Sequence, residues 1–154
     1  MPIERPASDG QDKRRRTMEL LAKAEDAVLT AAWDALADKP EVTRVRGPET
    51  GLVMLRGRIG GGGSPFNLGE ATVSRATVRL GTGEIGHGQT LGLSRRKAEL
   101  AAIFDALAQR PDHGEMIETL LNNIETDLAQ RDAERERQTA ATKVDFFTMV
   151  RGED

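Results

Sequence analysis

The chain has 154 residues and a mass of 16.8 kDa, the size of one domain with room for attached arms. It has no cysteine, which excludes disulfides, thiolate metal sites, iron–sulfur ligation and a cysteine nucleophile within it. Twenty-five acidic against 22 basic residues give a net charge of −3, far from the basic balance of a nucleic-acid binder.

Residues 1–10 read as a disordered or extended lead. They are polar, carry Pro2 and Pro6, and lack the apolar stretch of a signal peptide, so a cytoplasmic protein is expected. From about Asp12 to Asp38, Met18, Leu21, Val28, Leu29, Ala32, Trp33 and Leu36 recur at helical spacing. The spacing predicts helix, with a break into two near Glu25, ended by Lys39-Pro40. Val42–Arg46 alternates as a strand, Gly47–Gly51 is a turn cluster, and Leu52–Ile59 reads as the returning strand. Gly60, Gly61, Gly62 and Gly63 follow, then a strand over Leu68–Leu80, a Gly81-Thr82-Gly83 turn and a strand over Glu84–Leu91.

Two helices close the domain. Leu100, Ile103, Phe104 and Leu107 form one stripe with Ser94 placed as its N-cap. Asp112 to Glu115 has capping-box spacing, and Ile117, Leu120, Leu121, Ile124 and Leu128 form a second stripe. That stripe ends at Leu128, so the helix is expected to run on past its own domain. The expected fold is α+β: an antiparallel sheet of about four strands with helices on one face and an extended C-terminal segment. The division is a lead over 1–10, a domain over 11–138 and a partner-docking tail over 139–154. The longest apolar run, Leu100–Phe104, is far short of the roughly 20 residues of a membrane helix.

Charge is distributed unevenly, with ten basic against six acidic residues over 41–110 and three against eight over 111–137. Arg44/Arg46, Arg56/Arg58 and Arg75/Arg79 have spacings that place each pair on one strand face, suited to phosphate or carboxylate or simply facing solvent. The glycine run could contact phosphate through its N–H groups, or could be only a hairpin loop. It matches neither a P-loop nor a dinucleotide fingerprint. His87, between Gly86 and Gly88, stands without a second histidine or a carboxylate pair. No catalytic residue and no metal-ligand spacing can be assigned.

The chain end, Thr142 to Gly152, is apolar on both faces if extended. Val144, Phe146, Thr148 and Val150 point one way, Phe147 and Met149 the other. Val144, Phe146, Phe147, Met149 and Val150 are therefore expected to close the home sheet or to enter another subunit.

Five blocks in order carry a family resemblance: Glu49-Thr50-Gly51-Leu52-Val53, Arg58-Ile59-Gly60-Gly61, Gly69 to Ala76, Lys97-Ala98-Glu99, and Lys143 to Gly152. Together they resemble the PhnG family, the small subunit of the bacterial carbon–phosphorus lyase core complex, over about residues 15–154. Leu93-Ser94 departs from the Arg-Asp often found there. The resemblance implies action with PhnI, PhnH and PhnL. Together they transfer methylphosphonate to C1 of a nucleoside triphosphate with release of the purine base. It implies an accessory subunit that binds no cofactor. The iron–sulfur cluster and S-adenosylmethionine belong to PhnJ, and self-association within the complex is expected, with no nucleic acid or membrane. A different reading is a stand-alone phosphate- or nucleotide-binding module using Gly60–Gly63. On the first reading, Gly60–Gly63, Arg75 and Arg79 would border the phosphate-bearing substrate.

Overall fold

Four helices and three strands occupy residues 9–142, which the computed structural model describes. They are α1 (Asp9–Lys23), α2 (Asp26–Ala35), β1 (Val42–Arg58), β2 (Pro65–Leu80), β3 (Ile85–Leu91), α3 (Arg95–Leu107) and α4 (Gly114–Ala141). Short 3₁₀ turns at Ile59–Gly61 and Pro111–His113 join β1 to β2 and α3 to α4. The strands form one antiparallel sheet in the order β1-β2-β3.

The α+β class and the helices on one face agree with the sequence, as do the break between α1 and α2 and the Ser94 cap, whose Oγ accepts from Lys97 N at 3.2 Å. The number of strands does not agree. Gly47–Gly51 is not a turn but part of one 17-residue strand, with register shifts between Arg44 and Arg46 and between Arg46 and Glu49. Gly47 has φ +70, and a Cβ there would lie 2.7 Å from the Arg75 carbonyl oxygen across the ladder. The glycine and Pro48 are thus absorbed as a bulge that kinks the strand without reversing it. Two boundaries also move. Asp9 and Gly10 are helical, and α4 continues to Ala141, past residue 138. The capping box is not formed either. Asp112 instead accepts from Arg110 Nε at 3.0 Å and Nη2 at 2.5 Å, while His113 stands at the helix start without a side-chain cap.

The core lies between the sheet and α3, with α1, α2 and α4 around the far side of that helix. Leu100, Phe104, Leu107, Val78, Leu80, Leu29 and Leu121 are fully buried there, each stabilising by about 1.5–3 kcal/mol. α3 lies directly on β3. A Cβ on Gly86 would lie 1.9 Å from the Ala102 carbonyl oxygen, and one on Gly88 would lie 2.0 Å from that of Ala98. The helix meets these glycines with Ala98, Ala101, Ala102 and Ala106, all buried.

Asp105, wholly buried on α3, fastens this layer to α1 and to the free edge of β3. Its Oδ1 accepts from Arg14 Nε at 3.2 Å, and its Oδ2 accepts from Arg14 Nη2 at 2.8 Å and from the His87 backbone N–H at 2.9 Å. Arg14 Nη2 and Gln109 Nε2 also donate to the Ile85 carbonyl, at 3.1 and 2.8 Å. Backbone groups that would template another strand are thereby occupied. The hydrogen bond to Asp105 holds the Arg14 guanidinium above its usual pKa.

Gly88→Ala is expected to destabilise by about 3 kcal/mol in urea unfolding, because its Cβ meets helix backbone rather than a movable side chain. Gly51→Ala, open around its Cβ, should stay within about 0.5 kcal/mol. Arg14→Ala leaves the Asp105 carboxylate buried with a single donor and should cost about 3 kcal/mol, with Arg14→Lys recovering part of it.

Candidate functional site

The face of the sheet away from α3 is assembled by register. Glu49, Arg75 and Gln89 form one cross-strand row; Arg46, Thr77 and His87 form the next; Thr43, Arg79 and Ile85 form the third. Glu49 Oε1 accepts from Arg75 Nε at 2.7 Å and from Arg46 Nε at 2.8 Å. These two guanidiniums hold its carboxyl below the usual carboxylate range, Arg75 contributing most. His87 Nδ1 lies 3.1 Å from Thr77 Oγ1. Arg79 is exposed and has no ion pair among the described residues. The face is basic, with Arg75 fixed in direction and Arg79 directed to solvent.

Arg44 and Arg46 do not share a face. The bulge between them sends Arg44 to the helical side, where its Nε donates to Glu99 Oε1 at 2.6 Å and Arg96 Nη1 approaches Glu99 Oε2 at 3.7 Å. The hydrogen bond to Glu99 raises the Arg44 pKa. Trp33, Pro40, Val42 and Ile103 complete an open cleft of about 400 Å³ around this group. Lys39 Nζ sits 5.5 Å from the centre of the Trp33 ring, on the rim of α2.

Gly60–Gly63 form the tip of the β1–β2 hairpin. Gly60 and Gly61 take φ +60 and +76, and the Gly63 N–H donates to the Ile59 carbonyl at 3.1 Å. No charged residue lies between Ile59 and Pro65. Arg75 is ten residues along β2 from Pro65, about 30 Å of strand, and Arg79 is farther still. The chain therefore does not bring the glycine loop and Arg75 or Arg79 into one site. Val144, Phe146, Phe147, Met149 and Val150 lie outside the described residues.

Two buried carboxylates escaped the sequence reading. Asp105 and Glu99 sit on α3 among alanines and leucines, and a charge inside an otherwise apolar helix was the available signal. The glycines flanking His87 were a second signal, for close backbone approach rather than for a proton carrier. Among the described residues, no group of three or more His, Cys, Asp or Glu could hold a metal ion, and no helix is long and apolar enough to cross a membrane.

Comparison with known proteins gives this arrangement its family. Residues 12–152 match the family model described as phosphonate metabolism protein PhnG. The chain is also 62% identical over 145 residues to a curated protein of Rhizobium meliloti (strain 1021), covering 94% of this chain and 93% of that one. That relative is named alpha-D-ribose 1-methylphosphonate 5-triphosphate synthase subunit PhnG. With the family model running from within α1 through the sheet and its hairpin to the end of α4, the chain belongs to the PhnG family of phosphonate metabolism proteins.

Proposed function

We propose that the chain is a subunit of α-D-ribose 1-methylphosphonate 5-triphosphate synthase. The observation that carries this is the 62% identity over 94% of the chain to a protein named as that subunit. In the reaction, an oxygen of methylphosphonate bonds to C1 of the nucleoside triphosphate ribose. The C1–N bond breaks, and the purine leaves with the bonding electrons and takes up a proton. The chain acts with PhnI, PhnH and PhnL, and in one core complex with PhnJ, in the cytoplasm.

Its own part is that of an accessory subunit. Support comes from the way its buried acids are engaged. Asp105 is held by Arg14 and His87 N–H, and Glu99 by Arg44 and Arg96, so both stabilise the fold. Among the groups left open on the sheet face is a cation, Arg79, which suits the anionic surroundings of a phosphonate or triphosphate. Val144, Phe146, Phe147, Met149 and Val150 serve as docking residues for a partner. No cofactor is assigned to the chain, the iron–sulfur chemistry belonging to PhnJ.

Reconstitution tests this directly. Purine release and ribose methylphosphonate formation from ATP and methylphosphonate should require this chain together with its partners. Product formed without it would overturn the subunit reading, and turnover of ATP by this chain alone would overturn the accessory role. Arg79→Ala should leave assembly intact and lower phosphonate transfer several-fold; unchanged turnover would reduce Arg79 to a solvated side chain. Removal of Val144–Asp154 should abolish co-purification with PhnI.

A further inference from the structure

The β1–β2 hairpin outruns the rest of the sheet. β3 stops pairing at the Val73–Leu91 position, with one further bond from the Gly92 N–H to the Thr72 carbonyl, and from Val53–Ala71 to Arg58–Pro65 the two strands pair only with each other. At about 3.3 Å per residue this free ribbon extends about 20 Å. Isolated two-stranded ribbons are marginal in water, and this one is also greasy. Leu52, Met54, Leu55, Ile59, Phe66 and Leu68 are between 40% and 76% exposed.

Alternation distributes these side chains over both surfaces. Leu52 and Met54 project from one face, and Val53 and Leu55 from the other. A flat partner could cover only one of them. Charge narrows the choice further: between Gly51 and Thr72 the ribbon holds Arg56 and Arg58 against a single acid, Glu70, which stands opposite Met54. Neither arginine has an ion pair among the described residues. A second copy placed symmetrically would bring together two ribbons of net positive charge and leave one arginine of each without a carboxylate, and an unsymmetrical contact between copies would not close. A lipid surface would leave the open backbone edge of β1 without partners in hydrocarbon.

We infer that the ribbon Leu52–Leu68 is an insertion arm that enters a two-walled apolar cleft, rimmed by carboxylates, on a different subunit of the complex. The inference rests on the subunit reading above. Leu52, Met54 and Phe66 fill the cleft; Arg56 and Arg58 meet the acidic rim; the glycine tip lets the end of the arm turn within it. On this assignment Gly60–Gly63 shape the arm and need contact no phosphate.

The test is co-expression of the full chain with the other synthase subunits, followed by size-exclusion chromatography. Three forms are compared: wild type, Arg56→Glu/Arg58→Glu, and Leu52→Ser/Met54→Ser. Urea midpoints of the isolated chains verify folding, and the charge reversal keeps the test decisive if the apolar variant unfolds. Wild type should co-elute with its partners, and the charge reversal should weaken that association at least tenfold. Co-elution of the charge-reversed chain at wild-type strength would overturn the arm. A wild-type homodimer that the ribbon variants convert to monomer would assign the surface to a second copy and overturn it. Binding of wild type, but not of the charge reversal, to phosphatidylserine vesicles would overturn it in favour of a lipid. Wild type that fails to join any partner would overturn the subunit reading itself, and this inference with it.

Discussion

The contact between α3 and β3 governs the architecture. Helices ordinarily ride on a sheet at the distance set by their side chains. Here Gly86 and Gly88 remove the side chains on the strand, and Ala98, Ala101, Ala102 and Ala106 minimise them on the helix, so that backbone nearly touches backbone. A layer this thin needs little volume to fill it, which is how a chain with five aromatic residues packs a dry core on Phe104 and a set of leucines. Proximity has a second effect. It brings the Asp105 carboxylate within 2.9 Å of a backbone N–H on the edge of β3, and Arg14 reaches across from α1 to neutralise it. One close approach thus fixes three elements and closes one edge of the sheet.

The same arrangement leaves the opposite edge open. All the helices gather around α3, so nothing in residues 9–142 covers the outer face or the distal half of the β1–β2 hairpin. Val78 and Leu80 on β2 point inward under α3, whereas Leu68 on the same strand and Leu52 on β1 stand in solvent. An exposed apolar ribbon on a stable base is the surface of a protein that works in an assembly, which agrees with a family relative named as a subunit.

Much of this was legible in the sequence where local signals and tertiary packing agree. The α1–α2 break, the Ser94 cap and the long α4 beyond Leu128 each follow from spacing and end residues. Gly47-Pro48 misled because a turn dipeptide looks the same whether the chain reverses or merely bulges; the pairing partner decides, and Glu49 pairs on with Arg75. The Arg44/Arg46 pair misled for the same reason, since one bulge moves Arg44 to the face opposite Arg46, whereas Arg75 and Arg79 share a face as their spacing implies. The glycine loop and Arg75 were both visible, but the separation between them depends on how far the hairpin runs before it turns. His87 drew notice for its ring, when its neighbours Gly86 and Gly88 and its own backbone N–H carry the structural weight.

Charge placement separates what the chain keeps from what it offers. Its carboxylates at Asp105, Glu99 and Glu49 are each held by arginines from another element or strand, and they join helix to sheet or strand to strand. Its open cations, Arg56 and Arg58 on the ribbon and Arg79 on the sheet face, lie on the surfaces that its own helices leave bare. Had those arginines served solubility alone, the acids abundant in residues 111–137 could have been interspersed with them. Instead acids outnumber bases on α4 and arginines outnumber acids on the strands, so the two sides differ in the sign of their net charge. A surface so divided agrees with the accessory-subunit reading proposed above, in which the basic side of the sheet faces an anionic ligand or an acidic partner.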